Sequence, residues 1–250
     1  VTVATPEDVQ PIVAGDLPCA LTLPLPARRG ALAASGAGRA REFAAEADAV
    51  AIGPGLTTDA KGFLRRFLKG LGKPVVLDAD ALNVIALEPE LLGSFTAPRV
   101  LTPHPGEAAR LLGAEVGKAA EARIDAAAAL AERFRAVVVL KGMGTVVCDG
   151  DHVYVEPAGN PGMATGGTGD LLTGLVGARL AMGAEPFEAA VQAVHVHARA
   201  GDLAATAVGE HAMVATDLLA NLPAALAEIC EQSPHRSKAA GSRRRRGHAE

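Results

Sequence analysis

AVAIGPGLTTDAKGFLRRFLKGLGKPVVLD, residues 49–78, holds one complete strand–helix–strand unit and decides the fold class. The apolar run Ala49–Ile52 ends in Gly53-Pro54-Gly55, and a second run, Pro74–Leu77, ends in Asp78. Between them, Thr58–Leu71 carries Phe63, Leu64, Phe67, Leu68 and Leu71 at helical spacing. A strand, an amphipathic helix and a second strand in this order read as a βαβ unit with parallel strands.

The same rhythm runs outward in both directions. Val1–Ala4, Ala20–Leu23, Arg99–Leu101 and Val137–Leu140 read as strands, and Pro105–Leu112 and Lys118–Phe134 as helices. The pattern predicts an α/β fold with a mostly parallel sheet. From Thr145 the pattern changes: TVVCDGDHVYVE is two β-rich runs around Asp149-Gly150-Asp151, and Asp-Gly marks a hairpin turn. A glycine-rich loop and then mainly helix follow, through Ile229. With no repeat and no long linker, residues 1–232 are expected to form one domain. Residues 233–250, SPHRSKAAGSRRRRGHAE, lack apolar periodicity and are expected to form a disordered basic tail.

Composition narrows the function classes. The net charge is −4 although the tail is strongly basic, so the body is acidic, which argues against nucleic acid as the main partner. Hydrophobic residues make up 49% of the chain and aromatics 3%, so a sheet buried on both faces must be packed with Ala, Val and Leu. Cys19, Cys148 and Cys230 are too scattered for a disulfide or zinc framework, which suits a reducing, cytoplasmic setting. Neither a membrane span nor a signal peptide is expected.

Ligands of open parallel sheets bind beyond the carboxyl ends of the strands. Four successive strands here end in Gly53-Pro54-Gly55, in Asp78-Ala79-Asp80-Ala81-Leu82-Asn83, in Thr102-Pro103-His104-Pro105-Gly106-Glu107 and in Lys141-Gly142-Met143-Gly144-Thr145. Asp78 is assigned to the site and Asp80 to a helix N-cap. Glu107 also fits an ordinary first-turn acid, and His104 an ordinary loop. The strongest segment is GNPGMATGGTGD, 159–170, which opens the apolar helix beginning LLTGLVGA. A glycine-rich loop at a helix start presents backbone N–H groups and the positive end of the helix dipole, a binding site for phosphate oxygens. Asp170 lies in the first turn, placed to take a proton from a hydroxyl attacking phosphate, and that position is expected to hold its pKa low. The segment is neither a Walker A loop nor a dinucleotide fingerprint, because it lacks the GK[ST] ending and the third glycine.

GPG, PVVLDADALN, LTPHPGEAARLL, VVLKGMGTVV and GNPGMATGGTGDLLTG, in this order, resemble the ADP-dependent NAD(P)H-hydrate dehydratases of the ribokinase-like superfamily. The likeness runs from about Val1 to Ile229. It implies a three-layer αβα fold and a repair reaction: the C6 hydroxyl of hydrated NADH or NADPH is phosphorylated by ADP, with ATP as the alternative donor, and phosphate is then eliminated. On this resemblance Asp170 is the base, and the N–H groups of Gly167–Asp170 hold the transferring phosphoryl group. Lys141, Gly142, Met143, Gly144 and Thr145, with Asn160, Gly162, Met163, Thr165, Gly166, Gly167, Thr168 and Gly169, line the nucleotide. Gly55 and His104 contact the hydrate, Asp78 and Asn83 complete its pocket, and Glu107 meets Mg²⁺ through water. The resemblance also implies a homotetramer and a functional pairing with an NAD(P)H-hydrate epimerase.

Two departures stand out. Family members begin with a further strand and helix, so this sequence is expected to lack the first βα unit, through a lost or misassigned start or as a piece of a longer protein. Thr57 stands where the family usually has glycine. A small-molecule kinase of the same superfamily and an inactive nucleotide-binding remnant remain as alternatives.

Overall fold

The computed structural model describes residues 1–93 and 95–232; the expected basic tail, 233–250, lies outside the described residues. The chain opens with β1 (Thr2–Pro6), α1 (Gln10–Asp16) and β2 (Leu21–Leu25). β1 and β2 pair in parallel, Thr2 opposite Leu21, and form a two-stranded sheet apart from the main one. Sequence rhythm does not reveal that separation, because each strand is as apolar as those of the main sheet. A short hairpin, β3 (Ala27–Arg28) and β4 (Ala31–Leu32), and helix α2 (Ala37–Ala45) lead onward.

The main sheet begins with β5 (Val50–Ile52), α3 (Lys61–Leu68), β6 (Val75–Leu77), α4 (Ala79–Leu87) and β7 (Arg99–Leu101). It continues through α5 (Pro105–Leu112), α6 (Ala120–Phe134) and β8 (Val137–Leu140). β5 to β8 are parallel neighbours in chain order. β9 (Val146–Cys148) and β10 (Val153–Val155) form the expected antiparallel hairpin and extend the sheet, β9 pairing with β8. Three helices close the described chain: α7 (Thr168–Ala181), α8 (Pro186–Val208) and α9 (Ala215–Gln232). The helix expected from Thr58 starts at Lys61, after a 3₁₀ turn over Thr58–Ala60.

Alternation along the strands creates the layers. Val75, Leu77, Leu101, Val138 and Leu140 face one way, packing with Phe63, Leu64, Leu82, Ile85, Leu111 and Leu130 from α3 to α6. Val76, Val100, Val137 and Val139 face the other way, against Leu172, Val176 and Leu180 of α7 and Ala189, Ala190 and Val194 of α8. The result is a mixed αβα sandwich whose inner strands, β6 to β9, are buried on both faces, as continuous apolar runs require. All four parallel strands point their carboxyl ends toward one rim, and α7 starts there.

Candidate active site

The rim is built on close backbone approaches. Gly53 follows β5 with φ of 139°, and a methyl group there would collide with the Asp78 carbonyl. Only glycine lets the GPG turn seat against the end of β6. Four residues after Gly53, Thr57 has φ 62° and ψ 152°, a combination close to glycine-only. Its N–H donates to Asp80 Oδ2 at 3.0 Å, which ties the strained turn to α4. Asp80 therefore does not cap its own helix as expected; Asp78 occupies that N-cap position, and no side chain caps α4. Asn83 donates to Asp80 Oδ1 and accepts from Arg110 Nε, so it extends this brace across to α5. Gly55 stays exposed on the rim.

Asp78 lies beneath the rim, only 1% exposed. Its Oδ1 pairs with Lys141 Nζ at 2.7 Å, and its Oδ2 accepts from Thr173 Oγ1 at 2.6 Å. With both oxygens engaged, Asp78 positions the Lys141 ammonium and does not itself reach toward substrate. The ammonium lies under the start of α7: a Cβ added to Gly169 would stand 3.3 Å from Lys141 Nζ.

At that start the amides are open. The first helical hydrogen bond of α7 runs from Leu171 N–H to the Gly167 carbonyl, and no side chain caps the helix. The N–H groups of Thr168, Gly169 and Asp170 are thus left free of the helix ladder. Gly167 makes the turn with φ of 91°. The Thr168 hydroxyl points inward, donating to the carbonyls of Met163 and Thr165, so Thr168 can offer a ligand only its backbone. Asp170 is exposed beside these amides. Its pKa is raised, first by desolvation and then by repulsion from Asp78, with Lys141 pulling the other way. The expected low pKa is therefore corrected: desolvation and the buried Asp78 carboxylate together outweigh the cation. A raised pKa makes Asp170 a stronger base.

His104 and Glu107 form a capping box on α5. His104 Nδ1 accepts from the N–H groups of Gly106 and Glu107, and Glu107 Oε2 accepts from His104 N–H at 2.9 Å. The His104 ring is half exposed, while Glu107 is buried. Glu107 thus has one carboxylate oxygen engaged in this local role. Among the described residues no group of three or more His, Cys, Asp or Glu side chains stands together to hold a metal.

Residues that sequence patterns did not single out hold the two loops. The Gly159-Asn160 entrance is fastened by Asp202 of α8, which accepts from Gly159 N–H and Asn160 Nδ2. Asn160 Oδ1 in turn accepts from Gly162 N–H. His197, also on α8, donates from Nε2 to the Thr168 carbonyl at 2.8 Å. Burial and nearby Lys141 lower its pKa to about 4, against the weaker opposing pull of its hydrogen bond. The Gly142–Thr145 turn is closed by a hydrogen bond from Thr145 Oγ1 to the Gly142 carbonyl and leaves Met143 almost wholly exposed. Each helper sits on a helix face where polar residues normally mark solvent. Only the pairing of His195 with His197 in HVHARAGD hinted otherwise. No helix among the described residues is long and apolar enough to cross a membrane.

A family model described as NAD(P)H-hydrate dehydratase matches residues 1–224. The bifunctional NAD(P)H-hydrate repair enzyme Nnr of Moorella thermoacetica is 43% identical over 236 residues, 93% of this chain and 44% of that protein. This chain therefore spans less than half the length of that relative. Among solved structures, the ADP/ATP-dependent NAD(P)H-hydrate dehydratase of Bacillus subtilis was co-crystallised with ATP/Mg²⁺ and soaked with CoA. It superposes with a TM-score of 0.71 at 30% identity, over 91% of this chain and 80% of that one. Hydroxyethylthiazole kinase of Pyrococcus horikoshii OT3 is more distant, with a TM-score of 0.62 at 26% identity over 90% of this chain and 87% of that one.

Proposed function

The chain belongs to the NAD(P)H-hydrate dehydratase family, and on that footing we propose that it restores NADH or NADPH from the C6 hydrate at the expense of ADP. One observation carries this proposal: Asp170, exposed and with a raised pKa, stands beside the unpaired amides that open α7 and above the Lys141–Asp78 pair.

In the first step Asp170 takes the proton of the C6 hydroxyl while that oxygen attacks the terminal phosphoryl group of ADP, and AMP leaves. The amides of Gly167 to Asp170 stabilise the negative charge that gathers on the phosphoryl oxygens, and the Lys141 ammonium reinforces them from below. Asp78 and Thr173 hold that ammonium in place. In the second step phosphate leaves C6 as a proton leaves C5, which restores the ring double bond. Hydroxide is a poor leaving group and phosphate a good one, so a kinase-like site performs a net dehydration. No step is assigned to a protein-held metal; Mg²⁺ would enter on the nucleotide phosphates, the way this ion is usually carried. The length and bifunctional character of the relative support a working partnership with an epimerase that supplies the correct hydrate.

The test mixes purified protein, NADH hydrate and ADP and follows near-ultraviolet absorbance together with AMP and phosphate. We expect reduced nicotinamide, AMP and phosphate in equal amounts. A stable phosphorylated product from a small alcohol, with no action on the hydrate, would instead favour the kinase chemistry of the hydroxyethylthiazole kinase neighbour.

A further inference from the structure

Arg123 of α6 is an unusual buried group. The residue is 9% exposed, and among the described residues it makes no ion pair with a carboxylate. Its Nη2 donates to the carbonyls of Leu140, Lys141 and Gly144 at 3.1, 3.3 and 3.4 Å, and its Nε has no protein partner. The guanidinium lies directly under the turn that follows β8. A Cβ at Gly142, where φ is 135°, would stand 3.3 Å from both of its terminal nitrogens. A buried cation without an anion is costly, and carbonyl dipoles offset only part of that cost. Burial does lower the Arg123 pKa, but a guanidinium stays charged.

A neutral side chain that capped the same carbonyls would hold this turn more cheaply, so the charge itself needs a reason. The turn in question, 141–145, is the one assigned above to the nucleotide, and the backbone it anchors delivers Lys141. We propose that Arg123 is a positioning residue of the nucleotide loop whose buried charge also draws in the nucleotide phosphates, which supply the missing counter-charge. This inference rests on the ADP-dependent reading under Proposed function and on the nucleotide contact that the family resemblance implies for 141–145. It assigns Arg123 two separable effects: loop order, felt by any ligand of the loop, and charge, felt only by phosphorylated ligands.

The experiment compares wild type with Arg123→Gln and Arg123→Lys, measuring affinity for ADP and for adenosine by displacement of a fluorescent nucleotide analogue. For Arg123→Gln we expect ADP affinity to fall about tenfold, the scale of one cation at moderate distance in a protein environment. Adenosine affinity should fall by a clearly smaller factor, the part owed to loop order alone. Arg123→Lys, which keeps the charge, should keep the wild-type ratio of ADP to adenosine affinity. Equal loss for both ligands in Arg123→Gln would reduce Arg123 to a loop brace and overturn the proposal. If Arg123→Gln does not fold, a fallen ADP-to-adenosine ratio in Arg123→Lys overturns it equally. Wild type that binds no ADP at all would instead defeat the nucleotide placement on which the proposal stands.

Discussion

His197 makes the fold sensitive to acid through the site itself. The ring is partly buried against α7, donates to the Thr168 carbonyl, and has its pKa lowered to about 4, chiefly by desolvation. An unfolded-state histidine titrates near 6.5, so between pH 6.5 and 4 the unfolded chain binds a proton that the native state refuses. The contribution is fully present above pH 6.5 and is lost progressively as the pH falls toward 4. Between pH 7.5 and 4.5 the two pKa values give a loss of about 2.5 kcal/mol from this group alone. His197→Gln retains an N–H donor for the Thr168 carbonyl but cannot titrate. Urea unfolding of both proteins at pH 7.5, 6 and 4.5 isolates the difference from the carboxylates they share. Wild type should lose about 2.5 kcal/mol more than the variant over this range. Parallel pH profiles would show that the ring is accessible to protons in the native state and would refute the burial reasoning.

Other expectations follow from the rim geometry. Thr57→Gly should raise stability by about 1–2 kcal/mol, because Thr57 holds a φ/ψ pair that only glycine adopts without strain; thermal denaturation reads this directly. Gly53→Ala should cost more than about 3 kcal/mol, since the new methyl meets the Asp78 carbonyl and the β5 and β6 ends must separate. Asp78→Asn and Lys141→Met should each weaken the protein and its turnover, yet the double variant should recover more than about 1 kcal/mol relative to their sum. Additive losses in that cycle would mean the 2.7 Å pair is not energetically coupled.

The parallel sheet, the hairpin and the chemistry-bearing strand ends were legible because each depends on local pattern. Buried parallel strands demand continuous apolar runs, Asp-Gly demands a turn, and a glycine-rich helix start demands a ligand for its amides. Tertiary partners were not legible. Asp78 was assigned to the site by its address at a strand end, but only the fold shows that Lys141 and Thr173 take both of its oxygens. Glu107 and His104 were expected as ligand groups by resemblance, with a first-turn acid and an ordinary loop as their plain readings, and only the fold shows that they satisfy each other in a capping box. The pKa of Asp170 was misjudged for the same reason: its local position at a helix start favours a low value, whereas desolvation in the folded site and then Asp78, distant in sequence, raise it. Thr57 shows the reverse case, where the family's usual glycine pointed to a backbone strain that the fold then displays at φ 62°. Arg123, His197 and Asp202 lie on helices, where a polar residue ordinarily faces water.

The base role of Asp170 is tested most directly by single-turnover kinetics of Asp170→Asn, with ADP and hydrate both saturating. We predict that nucleotide affinity stays near wild type while the rate of AMP release falls about 10²–10⁴-fold, the usual scale for a positioned base. An unchanged rate in a folded, nucleotide-bound variant would contradict the account.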